Sequence, residues 1–279
     1  MIILKKVSEL TKFIEKQKKA KKTIGFVPTM GALHLGHISL ITASKKENQL
    51  TACSIFVNPT QFNNAADFEK YPISIGSDID KLEASGCDLL FLPAVDEIYP
   101  PGLELPFYDL GYLETILEGA FRTGHYQGVC KVVDRLLTLV KPDILYLGQK
   151  DYQQCMVIKK MMQIRDIDAI IHIEETIREV DGLAMSSRNA RLNQEERKQA
   201  VSIFETLSFL KNELKAGPLQ QLKQKAHTFL SGRGFKVDYV EIADASDLQI
   251  LDNWDGKTKT VTLIAAYINE VRLIDNFVQ

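Results

Sequence analysis

Five short apolar runs rich in β-branched residues set the first constraint: TIGFVP (23–28), LTACSIFV (50–57), DLLFLP (88–93), DILYLG (143–148) and AIIHI (169–173). Most are separated by stretches whose apolar residues recur at three- and four-residue intervals, the helical period. VCKVVDRLLTLV (129–140) shows that spacing plainly. Strands that alternate with helices pair in parallel through crossovers, so the pattern predicts an α/β fold: a parallel sheet with helices on both faces. Near-continuous hydrophobicity in the runs agrees, because such strands are covered on both sides. Helices are predicted over 36–48, 77–85, 128–140 and 151–166.

After Ile177 the texture changes. A polar stretch, REVDGLAMSSRNARLNQEER (178–197), leads into long amphipathic segments and then KVDYVEIADA, TVTLIAAYI and VRLIDNF. Helices followed by strands predict a smaller α+β domain. A chain of 279 residues has room for two domains, and the expected division is 1–176 and 177–279. No internal repeat or low-complexity segment interrupts it.

Charge narrows the partners. Lys+Arg 34 against Asp+Glu 36 leaves a net charge of −2, without the basic footprint of a general nucleic-acid binder. The cluster KQKKAKK (16–22) closes a helical pattern that begins near Ser8, where cations favour the negative helix end. Cys53, Cys87, Cys130 and Cys155 stand apart, with no C-x-x-C pair, and read as buried free thiols in a reducing compartment. MIILKKVSEL is too short an apolar stretch for a signal peptide, and no run approaches the roughly 18 apolar residues of a membrane span. The expectation is a soluble cytoplasmic protein with neither nucleic-acid nor membrane partners.

Open α/β sheets bind ligands at the carboxyl ends of their strands. The loops predicted there are unusual. VPTMGALHLGH (27–37) sets Gly31, Gly36, His34 and His37 where a strand hands over to a helix. Glycine permits close backbone approach, and the free N–H groups of a helix start can face an anion. The glycine spacing matches a Walker A loop, but His37 and Ile38 stand where Lys and Ser/Thr are required. As a zinc site, His34 and His37 lack a third ligand. A glycine turn with surface histidines fits this loop equally well when it is taken alone. FVNPTQF (56–62) offers the neutral amides of Asn58 and Gln61 beside aromatic walls, suited to orienting a polar small molecule. LGQKDYQQ (147–154) places Gly148 at a strand end, with Lys150 for a phosphate, Gln154 one turn on, and Asp151 as a helix N-cap. DGLAMSSRN (181–189) supplies Ser186, Ser187 and Arg188, able to clamp a polyphosphate from a mobile loop.

These segments, with Tyr71–Pro72, LEGAFRTGHYQGV (117–129) and RLIDN (272–276), resemble in order and spacing the pantoate–β-alanine ligase family of nucleotidyl-transferase-like Rossmann enzymes. The resemblance covers essentially the whole chain. It implies a Rossmann-like doubly wound parallel sheet with a smaller C-terminal α+β lid domain. It also implies a two-step reaction in which the carboxylate of (R)-pantoate attacks the α-phosphorus of ATP and β-alanine then attacks the pantoyl adenylate, giving pantothenate and AMP.

Carried residue by residue, it places Met30, Gly31, Ala32, Leu33, His34, Leu35, Gly36 and His37 along ATP, with His34 and His37 donating to phosphate oxygens. Gly148, Gln149, Lys150 and Asp151 become the second nucleotide loop, Ile177 a further contact, and Met185, Ser186, Ser187 and Arg188 the mobile phosphate signature. Lys150 and Arg188 would neutralise pyrophosphate. Gln61 and Gln154 match pantoate-binding glutamines, with Gln61 also near β-alanine. The family further implies Mg2+ with ATP, Asp78 as the candidate carboxylate, and a homodimer. Ile73, Leu35 and Thr123 depart from the family pattern. Two other readings share the loops: a nucleotidyltransferase with a phosphate acceptor, which would call for cations where Asn58, Gln61 and Gln154 are neutral, and a nucleotide sensor, which would have little use for Lys150 and Arg188 together.

Overall fold

A computed structural model describes residues 1–62 and 68–279. Contacts group these into two compact units, 1–148 with 157–175 and 149–156 with 176–279.

In the first unit, β1 (Ile2–Leu4), β2 (Ile24–Thr29), β3 (Leu50–Ile55), β4 (Leu89–Phe91), β5 (Ile144–Gly148) and β6 (Ile170–Glu174) form one sheet in the order β1-β4-β3-β2-β5-β6. Every pairing is parallel. The alternation of strands and helices thus yields the predicted α/β sheet, with one strand more than the five apolar runs foretell. The longer helices are α1 (Val7–Lys19), α2 (Leu35–Glu47), α3 (Ile75–Ala84), α4 (His125–Val140) and α5 (Tyr152–Ile164), the last belonging to this unit from Val157 on. Alternate residues of a strand face opposite sides. On one side Val27, Cys53, Ile55, Leu90 and Tyr146 form a core with Leu40 and Ile41 of α2 and Leu82 of α3. Phe26 and Leu145, one residue out of phase, are fully buried on the other, and α4 packs against β2.

Two aspartates finish the amino end of the sheet. Asp143 accepts from the Ile24 amide at 2.7 Å and Asp88 from the Thr51 amide at 2.7 Å, and each holds a lysine, Lys18 or Lys45. Orphan strand amides are satisfied there by fixed side chains. At the carboxyl end, the strand order reverses direction between β2 and β5, the switch point where such sheets bind ligands.

In the second unit, β7 (Lys236–Asp244), β8 (Thr260–Ile268) and β9 (Val271–Val278) pair antiparallel in the order β9-β8-β7. Helices α6 (Gln194–Ala200), α7 (Ser202–Glu213) and α8 (Gln220–Gly232) accompany them. Ile203, Leu207 and Leu210 from α7, and Ala226 and Leu230 from α8, meet Val240, Ile264, Ala266 and Leu273 in a separate core. Among the described residues no helix is long and apolar enough to cross a membrane.

Candidate active site

The loop after β2 turns through two left-handed residues, Gly31 at φ 84° and Ala32 at φ 49°. A side chain at Gly31 would crowd Asp78 Oδ2 and Ile55 Cγ2, each 3.1 Å from the Cβ position. The turn is held from below by Asp78 on α3. Its Oδ2 accepts from the Ala32 amide and its Oδ1 from the Leu33 amide, both at 2.8 Å, and Ser74 Oγ donates to Oδ1 at 3.0 Å. Asp78 is fully buried. The carboxylate expected beside magnesium therefore anchors the loop, its two oxygens engaged by three donors. Lys81, one turn on, donates to the Leu33 carbonyl at 2.7 Å.

α2 then opens with a reciprocal cap. His34 Nδ1 accepts from the Gly36 amide at 3.2 Å, and His37 Nδ1 accepts from the His34 amide at 3.3 Å. The rings lie 4.1 Å apart between centroids. A ring nitrogen that accepts carries no proton, so in this arrangement Nε2 is the nitrogen of each ring left to donate. Leu35 between them is exposed.

The loop after β3 meets this one. Gln61 ends a 3-10 turn, Pro59–Gln61, and its Nε2 donates to Met30 Sδ at 2.8 Å. Asn58 is fully buried, and its amide is consumed within the protein. Its Nδ2 donates to Gln61 Oε1 at 3.2 Å and to Gly128 O at 3.1 Å. Its Oδ1 accepts from Thr60 Oγ1 and Tyr99 OH, each at 3.0 Å. This corrects the expectation that Asn58 orients a ligand directly: it fixes Gln61, which can. His125 Nδ1 donates to the Gln61 carbonyl at 2.8 Å, a second brace on that glutamine. A small cavity of about 210 Å³ touches the loop, lined by Met30, Gly31, Ala32, Asp78 and the exposed Ile73 among others.

In the second unit, Gln149–Asp151 form a 3-10 turn directly after β5. Lys150 Nζ lies 3.4 Å from Asp151 Oδ2, its side chain largely buried. Gln154 is half-buried in the first turn of α5. Ile177 opens a hairpin that closes at Met185, whose amide donates to the Ile177 carbonyl at 3.0 Å. Ser186 then caps a 3-10 helix, Ser187–Arg191, by accepting from the Arg188 amide at 3.3 Å. Every thiol is buried. Burial pushes Cys87 and Cys130 up to about 12, and raises Cys53 and Cys155 well above the usual thiol range. None is set up as a nucleophile.

The Pantoate-beta-alanine ligase family model matches residues 2–278. The chain belongs to the pantoate–β-alanine ligase family. Relatives named pantothenate synthetase include those of Azobacteroides pseudotrichonymphae, 42% identical over 99% of each chain, and Cytophaga hutchinsonii, 41% identical over 100% of this chain and 99% of that one. Pantothenate synthetase from Thermus thermophilus superposes with a TM-score of 0.91 at 36% identity, covering 99% of both chains. A pantoate-beta-alanine ligase from Francisella tularensis, solved with beta-gamma ATP and beta-alanine, gives 0.83 at 39% identity, covering 99% of this chain and 97% of that one. As a member of the pantoate–β-alanine ligase family the chain is an enzyme, a ligase of pantoate and β-alanine.

Within the first unit the fold brings together Met30–His37, Gln61 and Asp78. Within the second, β9 holds the Gln149–Lys150 turn through Asn276, and through Asp275 and Arg178 the hairpin that runs from Ile177 to Met185. Asn58 stands out in the sequence as an amide and His125 only as a member of a motif; that they brace Gln61 does not, since Asn58 is held to Gly128, 70 residues on, and His125 reaches Gln61 across 64 residues.

Proposed function

We propose that the ligation runs through pantoyl adenylate: the carboxylate of (R)-pantoate attacks the α-phosphorus of ATP and expels pyrophosphate. The β-alanine amine then attacks the acyl carbon and expels AMP. The observation that carries this reading is the reciprocal cap of α2, which fixes two imidazoles as Nε2–H donors beside a helix N-terminus. Such donors stabilise charge building on phosphate oxygens.

His34 and His37 take that role, and His37 is the residue in the proton-donor place. Met30 to His37, Gly148 to Asp151, Ile177 and Met185 to Arg188 contact ATP. Lys150 and Arg188 neutralise the pyrophosphate as it leaves. Gln61 and Gln154 bind the hydroxyl-rich pantoate, and Gln61 also touches β-alanine. No covalent bond to the enzyme is required, in keeping with the buried, unactivated thiols.

Magnesium comes as the counter-ion of ATP, held by phosphate oxygens and water, because the ion dehydrates reluctantly. Among the described residues no three of His, Cys, Asp or Glu are clustered to hold it. Its burial and the Ala32 and Leu33 amides on its two oxygens argue against Asp78 as a ligand of the ion. A homodimer and a cytoplasmic location belong to the same proposal, on family resemblance.

The test is ATP–pyrophosphate exchange with and without (R)-pantoate. Exchange should require pantoate, and AMP should form one-for-one with pantothenate once β-alanine is added. Exchange that proceeds equally without pantoate would overturn the assignment.

A further inference from the structure

β9 carries two consecutive buried polar residues, Asp275 and Asn276, in a strand whose other work is to close the second core. Neither is among the residues assigned to substrate. Asn276 Nδ2 donates to the carbonyls of Gln149 and Lys150, each at 2.8 Å, and its Oδ1 accepts from Gln149 Nε2 at 3.2 Å. One primary amide thereby uses both donors and its oxygen on a single turn.

Asp275 takes the opposite direction. It forms a two-pronged pair with Arg178, at 2.5 Å from NH1 and 3.0 Å from NH2. NH1 also reaches the Gly182 carbonyl at 3.1 Å, and the guanidinium lies 4.8 Å from the centroid of the Phe204 ring. Arg178 stands in the first leg of the 177–185 hairpin and bridges to Ala184 in the second. Asp275 Oδ1 accepts from the Asn276 amide at 2.8 Å, and Arg178 NH2 reaches the Asn276 carbonyl at 3.3 Å. The two anchors are thus one connected network. Networks of this kind leave each member costly to move, because a displaced buried partner goes unsatisfied.

We infer that Asp275 and Asn276 are positioning residues for the first half-reaction: Asn276 sets the Lys150 turn, and Asp275, through Arg178, sets the hairpin that delivers Met185–Arg188. The inference rests on the proposed role of Lys150 and Arg188 at the pyrophosphate. It makes a distinction that mere fold support would not. Pantoyl adenylate no longer carries the β- and γ-phosphates, so loosening these anchors should slow adenylate formation and spare its capture by β-alanine.

Asn276→Asp puts a carboxylate oxygen where an N–H donor faced two carbonyls. It is expected to lower pantoate-dependent ATP–pyrophosphate exchange by about tenfold to a hundredfold, the scale of a misplacement near 1 Å. Conversion of supplied pantoyl adenylate and β-alanine to pantothenate should change by less than about threefold on the same reasoning. In a Lys150→Ala background, Asn276→Asp should add little, as expected for residues acting as a unit. Asn276→Ala, which leaves the carbonyls without a facing charge, serves if the aspartate variant does not fold.

Equal loss in both half-reactions, or full exchange in a folded variant, overturns the inference. Native protein that shows no pantoate-dependent exchange overturns instead the reading on which it rests.

Discussion

Each histidine of the α2 cap does two things with one ring. Nδ1 of His34 serves the Gly36 amide, and Nε2 remains the proton-bearing atom. Substitution by alanine removes both, so His34→Asn is the sharper variant: asparagine keeps a cap acceptor and lacks the Nε2–H reach. Turnover is expected to fall about a hundredfold or more in His34→Ala, His34→Asn and Lys150→Ala alike. Near-native turnover in His34→Asn would reduce His34 to a cap. A second expectation concerns the thiols. With Cys87 and Cys130 pushed up to about 12, the thiolate fraction at pH 8 is on the order of 10⁻⁴. Native protein should leave Ellman's reagent unreacted and retain activity after iodoacetamide, with thiols titrating only in denaturant. Fast loss of activity would contradict this. The histidines, lysine and glutamines could be picked out in the sequence because their types are chemically conspicuous. The duties of Asp78 and Asn58 could not, since each is defined by partners 45 and 70 residues away.

At the scale of elements, apolar periodicity locates most strands and helices but not their outermost turns. β1 spans three residues, two of them exposed, on the sheet edge, too short to show a period. α4 begins at His125 rather than at 128 because His125, Tyr126 and Gln127 precede the periodic run, and the turn starts from Gly124 at φ 78°. What places α4 is a close approach. A Cβ at Gly128 would overlap the Thr60 carbonyl and the Gln61 Cα. Gly128→Ala should therefore push α4 from the Asn58–Gln61 turn, at about 1–3 kcal/mol for an overpacked contact. Gln61 would shift with it. The expected result is a lower thermal midpoint together with a raised KM for pantoate, read by melting and by initial rates. An unchanged pantoate KM in a destabilised variant would detach Gln61 from that substrate.

On the scale of the whole molecule, each unit has its own core, and the chain passes from one unit to the other more than once. Residues 149–156 follow β5 without a break yet group with 176–279. Nothing in the local sequence announces this, because Asn276, which holds the Lys150 carbonyl, lies 126 residues further on. The consequence is that a ligand gripping Lys150 is linked to the folding of the C-terminal residues. A ligand that binds only the native state stabilises it by about 2.7 kcal/mol at a hundred times its Kd. For a chain of this size that raises the melting midpoint by about 5 °C. ATP should produce such a rise in the native protein, and (R)-pantoate a rise of its own. Lys150→Ala should lose most of the ATP shift at the same concentration while keeping that from pantoate. Differential scanning fluorimetry across the four combinations decides it: an ATP shift undiminished in Lys150→Ala would remove the lysine from nucleotide binding, and loss of both shifts would mean that the substitution disturbs more than a phosphate contact.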